Sequence, residues 1–447
     1  MIAAPLSFNG GQRFSMSSDT LSVDEQMNAG QTDDGVVRAA DGTPLKARLA
    51  KALRREKQRS FLLIAPLLFF IVVSFLLPIG DMLFRSVENQ IVQNTLPTVV
   101  QELNRWDPSS GEIPDEETFV ALVEDLRIAV EARVHTRLGG RLNYEKSGMS
   151  GLFRKTGRAV KKMEEGPYQA QFIEADDDWG KVEVWQVINK FKTPYTAGYF
   201  LNAVDAERTA EGVQMKPENE RIYIKLFVRT IVLSLAITLM CVLLGYPIAY
   251  LLAHMTTRNA NMLMILVLLP FWTSLLVRTS AWKVLLQGQG VINDFLVWIG
   301  LVDDASRLVL INNQTGTIIA MTHILLPFMI LPLFSVMKTI SPTYVRAAKS
   351  MGANDWTAFW KVYFPQSVPG IGAGAILVFI LSIGYYITPA LVGGTSGIFI
   401  SNRIAYHISS SLNWGLAAAL GAILLVLVLL LFYVYDKIVG IDNVKLG

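Results

Sequence analysis

A single cysteine among 447 residues, Cys241, leaves no partner for an intrachain disulfide. It lies within an apolar run and reads as a small, membrane-buried packing residue. Four scattered histidines, His135, His254, His323 and His407, show no metal-ligand spacing, and zinc-type cysteine pairs are missing. No Gly-x-x-x-x-Gly-Lys-Ser/Thr stretch occurs, so the chain does not hold ATP in the P-loop manner. A nucleophile elbow and a plausible catalytic triad are also lacking. These absences argue against a catalyst acting alone and predict no cofactor or metal bound by this chain. Charge is sparse at 17%, against 52% apolar residues, which points to a membrane protein. The apolar runs hold almost no Asp or Glu, whereas an ion-gradient transporter would carry paired intramembrane carboxylates and inverted repeats.

What is present is a series of apolar runs of roughly 20 residues, the length that spans a bilayer. Residues 1–59 form a basic leader expected to be disordered, above all over 1–44, which is rich in Ser, Gly, Asp and Ala. Its last part holds Lys46, Arg48, Lys51, Arg54, Arg55, Lys57 and Arg59 directly before a span, which places the N-terminus in the cytoplasm. That position makes a nucleic-acid role a poor explanation of the cluster. The first span, 60–83, has no small-residue cleavage site after it and is a retained helix rather than a secretory signal.

Residues 84–221 form a long polar insertion, external if the first span exits the cytoplasm. Within it Phe119, Leu122, Val123, Leu126 and Val130 recur at helical spacing over Glu116–Arg133, and Lys181–Ile188 is a candidate strand. A small helical domain is expected, acting as a structural cap or as a docking surface for a periplasmic partner. Five further spans follow over 222–436, at about Ile224–Ala253, Met262–Leu286, Gly316–Met337, Val368–Leu391 and Leu412–Tyr435. Gln287–Leu310 suggests an external amphipathic hairpin on the membrane surface. The short 437–447 tail ends on the cytoplasmic side, so every basic flank falls on one face.

Between the fourth and fifth of the six spans lies a polar segment at about 340–365 that no bilayer can hold. It reads RAAKSMGANDWTAFWKVYFP from Arg346 to Pro365. Ala347, Ala348 and Gly352 allow close approach of another protein's surface, and Asp355, Trp356, Phe359 and Trp360 follow, the aromatic residues as anchors. Within the spans, Arg278 and His323 are candidates for a translocation path, the alternatives being snorkelling and packing. Tyr385 and Tyr386 either line a cavity, where they would offer cation–π contacts to an amine, or anchor the interface. Pro270, Pro327, Pro332 and Pro389 interrupt their spans and are candidate hinges.

The spacing of Ala-Ala, Gly and Pro over Arg346–Pro365 resembles the EAA loop of ABC importer permeases, the cytoplasmic helix that docks into the ATPase. Arg346 stands where that pattern has Glu. Leu268–Asn293 and Gly384–Gly394 look like the first permease subunit of spermidine/putrescine importers. The resemblance implies an all-α membrane protein with the six-helix fold of type I importer permeases, carrying a large external insertion between helices 1 and 2. It also implies a bacterial inner-membrane location with both termini cytoplasmic. Its partners would be ABC ATPase subunits carrying ATP and Mg, a second permease, a periplasmic solute-binding protein and membrane lipid, with no nucleic acid. A membrane-anchored sensor or scaffold is a third reading, and it would need no coupling loop.

Overall fold

The structure, a computed structural model, describes the backbone of residues 45–143, 145–209 and 212–439, and the side chains of most of them. The expected disorder of 1–44 and the final residues of the tail lie outside the described residues, as do the side chains of Lys46, Arg48 and Lys51. Residues 45–59 are not disordered: Leu45–Ile71 is one helix that carries the basic stretch straight into the apolar run. Leu, Ala, Lys and Arg are strong helix formers, and nothing between the two stretches breaks the hydrogen-bond ladder. A π turn at Val72–Leu76 leads to a last segment, Leu77–Arg85.

Among the described residues, five helices are long and apolar enough to cross a membrane, or six if one bent pair counts as a span. Tyr223–His254, Gln314–Thr339 and the helix ending at Gly384 pack together through Ile237, Cys241, Met321, Leu325, Met329, Leu333 and Val378. Cys241 is buried there as expected, its thiol 3.6 Å from the carbonyl of Thr322. Trp414–Val439 forms the last span.

Two of the runs read as single spans interrupted by proline are broken outright. The Met262–Leu286 run is a broken pair, Thr257–Trp272 and Leu275–Leu285, bent by 95°. Pro270 removes a backbone donor in a short 3-10 turn, and Ser274 restarts the helix by accepting from the Val277 N–H at 3.2 Å. The Val368–Leu391 run ends at Gly384, and a separate short helix, Ile387–Val392, follows. Pro389 sits in the first turn of that helix, where proline is tolerated. By contrast Pro327 and Pro332 lie inside the unbroken Gln314–Thr339 helix.

The insertion has its own apolar core. Phe119, Phe153, Phe172, Trp179 and Trp185 are fully buried, with ring centroids 4.9–5.7 Å apart in tilted and edge-on pairs. The expected helix is Glu116–Glu131, started by Asp115 accepting from Thr118. The strand expected at Lys181–Ile188 is instead a helix, Val182–Lys190. Val184, Trp185 and Ile188 are the buried positions, a helical rather than alternating spacing. The strand content described is one hairpin, Ala206–Thr209 with Gly212–Met215, just before the second span.

The amphipathic hairpin expected at Gln287–Leu310 is a single helix, Val291–Trp298, followed by a folded loop. Buried Asn293 pins that loop: its amide donates to the carbonyls of Gln287 and Leu308 and its oxygen accepts from the Leu308 N–H.

Candidate functional site

The polar segment between the fourth and fifth spans forms two helices joined at a glycine. Ser341 and Pro342 open the first, Pro342–Ser350. At Gly352 the backbone turns left-handed, with φ of 91°, and its N–H and that of Ala353 close on the carbonyls of Lys349 and Ala348. Asn354 then caps Asp355–Ala358, accepting from the Thr357 N–H at 2.8 Å. Lys349 and Asp355 form an ion pair across the turn. A π turn, Phe359–Tyr363, feeds the fifth membrane helix, with Pro365 in its first turn.

The two small residues at 347 and 348 differ in exposure. Ala348 is buried against the rest of the chain, while Arg346, Ala347 and Gly352 are exposed. Beside them Met351 and Trp356 are 83% and 72% exposed, an apolar surface with no covering group among the described residues. Phe359, which the sequence offers as a further anchor, turns inward. It stacks near Tyr363 and meets Tyr246 and Tyr250 edge-on at 6.2 and 5.8 Å. Tyr246 also hydrogen-bonds Ser367 at 3.0 Å, and His254 lies 5.3 Å from Tyr363, centroid to centroid. Sequence reading passed over Tyr246 and Tyr250 and weighed His254 only as a metal ligand. Their spacing of four along one helix is the signal that marks a single face.

A second polar cluster lies among the membrane helices. Arg278, on the far arm of the bent pair, has its Nε and Nη1 buried without a partner among the described residues. It lies near both His323 and Tyr385. Trp282, one turn beyond Arg278, donates its indole N–H to Nδ1 of His323 at 3.0 Å. Tyr385 and Tyr386 occupy the break after Gly384. The Tyr385 carbonyl, left without a backbone donor by Pro389, accepts from the Ser401 hydroxyl at 2.8 Å, and the Tyr386 carbonyl, which already accepts from the Ala390 N–H, also takes the Asn402 amide at 2.7 Å. Thr279 and Thr388 are 3.1 Å apart, joining the bent pair to the short helix. The structure thus brings Arg278, His323 and Tyr385 into one neighbourhood and leaves Tyr386 about half exposed. Trp282, Thr279, Ser401 and Asn402 were not legible as site residues, because only the two helix breaks bring them together.

Residues 242–439 match the family described as binding-protein-dependent transport system inner membrane component. The spermidine/putrescine transport system permease protein PotB of Salmonella typhimurium (strain SL1344) is 31% identical over 226 residues, covering 51% of this chain and 78% of that protein. The chain belongs to this family. It is an ABC importer permease of the bacterial inner membrane, spanning it several times, and a transport subunit. Haemophilus influenzae (strain ATCC 51907 / DSM 11121 / KW20 / Rd) PotB is 35% identical to this permease over 200 residues, 45% of the chain and 69% of that protein. Among solved structures, a bacterial ABC transporter involved in the import of the acidic polysaccharide alginate matches 49% of the permease and 81% of its own chain, at 21% identity and a TM-score of 0.39.

Proposed function

We propose that this permease forms half of a translocation pathway for a small amine-bearing solute, with spermidine or putrescine as the leading substrates. Its relatives' names support that substrate class. A second permease supplies the other half, an external solute-binding protein delivers the solute, and separate ATPase subunits bind ATP and Mg. The chain itself holds no cofactor, and nucleic acid has no part in the cycle. Both termini lie in the cytoplasm, which puts residues 84–221 outside and Arg346–Pro365 inside.

The observation that carries the coupling role is the exposed surface of Arg346, Ala347, Met351, Gly352 and Trp356, backed by the aromatic contacts of Phe359 and Tyr363 with the second span. A push on Trp356 has a packed route to Tyr246 and Tyr250. Asp355 and Pro365 serve this site by fixing its shape, the one through Lys349 and the other at the start of the fifth helix. Arg278, His323, Tyr385 and Tyr386 are the path residues, and the unpartnered guanidinium nitrogens of Arg278 repel a polycation unless the partner permease offsets them. An amine that also carries an acidic group meets no such conflict.

Purification of the tagged chain in mild detergent tests the reading. Recovery of an ATPase, a second permease and a binding protein is the expected result, and the binding protein's ligand then names the solute. A chain that purifies alone in several detergents removes the importer assembly.

A further inference from the structure

The helix Leu45–Ile71 carries a dense run of bases up to the first apolar run. Lys46, Arg48, Lys51, Arg54, Arg55, Lys57 and Arg59 stand in one stretch whose only acid is Glu56. Arg54, Arg55, Lys57 and Arg59 are all exposed, and among the described residues none has a carboxylate in ion-pair range. The far end of the same span differs, because Arg85 there pairs with Asp81 at 2.8 Å.

Ser60–Gly80 holds no charged residue. At about 1.5 Å per residue it covers about 30 Å, the thickness of the hydrocarbon layer, so Arg59 lies where the headgroups begin. Arg54 sits about 7.5 Å further out, a depth that the headgroup region of one leaflet covers. Successive side chains leave a helix about 100° apart. Arg54, Arg55, Lys57 and Arg59 therefore point to different sides of it and make a collar, not a stripe. A protein surface or a nucleic-acid groove meets one side of a helix, whereas a headgroup layer surrounds it. Packing does not hold this helix either, since no residue of its most apolar stretch is buried.

We propose that this collar selects anionic phospholipid, binding the phosphodiester of headgroups such as phosphatidylglycerol where the helix enters the bilayer. The three arginines present forked N–H donors that match phosphate oxygens, and Lys57 adds a point charge. Net charge on the lipid decides the selection, because a zwitterionic headgroup carries its own ammonium against the phosphate while an anionic one does not. Lipids held in this way set the depth of the first span.

The full chain in detergent, titrated with phosphatidylglycerol and phosphatidylcholine of identical acyl chains, tests this by native mass spectrometry. Phosphatidylglycerol is expected to bind about tenfold tighter, the value of one or two charge-assisted hydrogen bonds. The preference should largely vanish in the quadruple variant Arg54→Gln, Arg55→Gln, Lys57→Gln, Arg59→Gln. It should widen in Glu56→Gln, which removes the one acid. Glutamine is as good a helix former as the residues it replaces, and an unchanged circular dichroism spectrum verifies the helix. A control variant, Arg154→Gln, Arg158→Gln, Lys161→Gln, Lys162→Gln, takes four exposed charges from the insertion and should leave the preference intact. Equal affinity for the two lipids, a preference that survives in the first variant, or one that the control loses equally would overturn the proposal. Displacement of the lipid by polyglutamate or an oligonucleotide at equal charge would give the collar to an acidic protein or to nucleic acid, and would overturn it likewise.

Discussion

The ring of Tyr199, in the insertion, lies against the bare backbone of Gly415 in the first turn of the last span, so near that a Cβ at position 415 would fall 2.4 Å from ring carbons. Glycine is required here by space, and the contact fastens the insertion to the membrane core. Gly415→Ala forces Tyr199 aside and strains its hydrogen bond with Arg141. A loss of about 1–3 kcal/mol is expected, the usual range for overpacking. Thermal melts of Gly415→Ala, Tyr199→Ala and the double variant check this. Strict additivity of the two losses would show that the contact carries no energy.

Asp205 provides the second fastening. Fully buried, it accepts hydrogen bonds from the N–H groups of Ile222, Tyr223 and Ile224 at 3.0, 3.1 and 2.8 Å, capping the helix Tyr223–His254. Its negative charge also faces the positive end of that helix. Asp205→Ala should cost about 1–2 kcal/mol, and Asp205→Asn less, since an amide oxygen still caps. A melt in which both variants match the parent chain would dismiss the cap.

Gly352 separates turn geometry from partner contact. Its φ of 91° penalises any side chain, by about 1–2 kcal/mol, but a Cβ there meets nothing within 4 Å. Gly352→Ala and Gly352→Leu therefore share the backbone cost and differ only in bulk toward the partner. Solute uptake should fall modestly in the first and vanish in the second, with equal membrane insertion of both. Normal uptake in Gly352→Leu would remove the coupling assignment.

His407 lies outside the membrane-spanning helices, between the Tyr223 hydroxyl at 3.0 Å and the Ser411 hydroxyl at 2.8 Å. Burial, reinforced by the positive charge of Arg403, lowers its pKa to about 4. The unfolded chain takes up a proton near pH 6.5, the folded chain only near 4. Stability is therefore full above 6.5 and is progressively lost as pH falls toward 4. His407→Asn should flatten that part of the pH profile of Tm. A profile identical to the parent's would rule His407 out as its source.

Charge in the path gives a further check. Arg278→Gln removes a guanidinium whose Nε and Nη1 are buried without a partner among the described residues. If the solute is a polyamine, KM should drop or stay level. If it bears an acidic group, KM should rise about tenfold, the value of one charged hydrogen bond.

The sequence by itself determined the membrane class, because runs of roughly 20 apolar residues have no other stable environment. It also determined where the polar segment lies, since a stretch such as Arg346–Pro365 must leave the bilayer, and it singled out Gly352 as a place of close approach, while the left-handed turn there came from the structure. Helix breaks were only half legible. Pro270 looked no different from Pro327 or Pro332, yet the first breaks its span and the others do not, because Ser274 stands ready to cap a new helix. What only the tertiary structure decided were the meetings of distant residues. Asp205 reaches the second span, Trp282 reaches His323, and Asn89 and Arg141 share a cleft with Trp414. Local spacing fixes which face a side chain takes, through the 3.6-residue turn. Which partner waits on that face depends on how whole helices pack, and no short window of sequence contains that information.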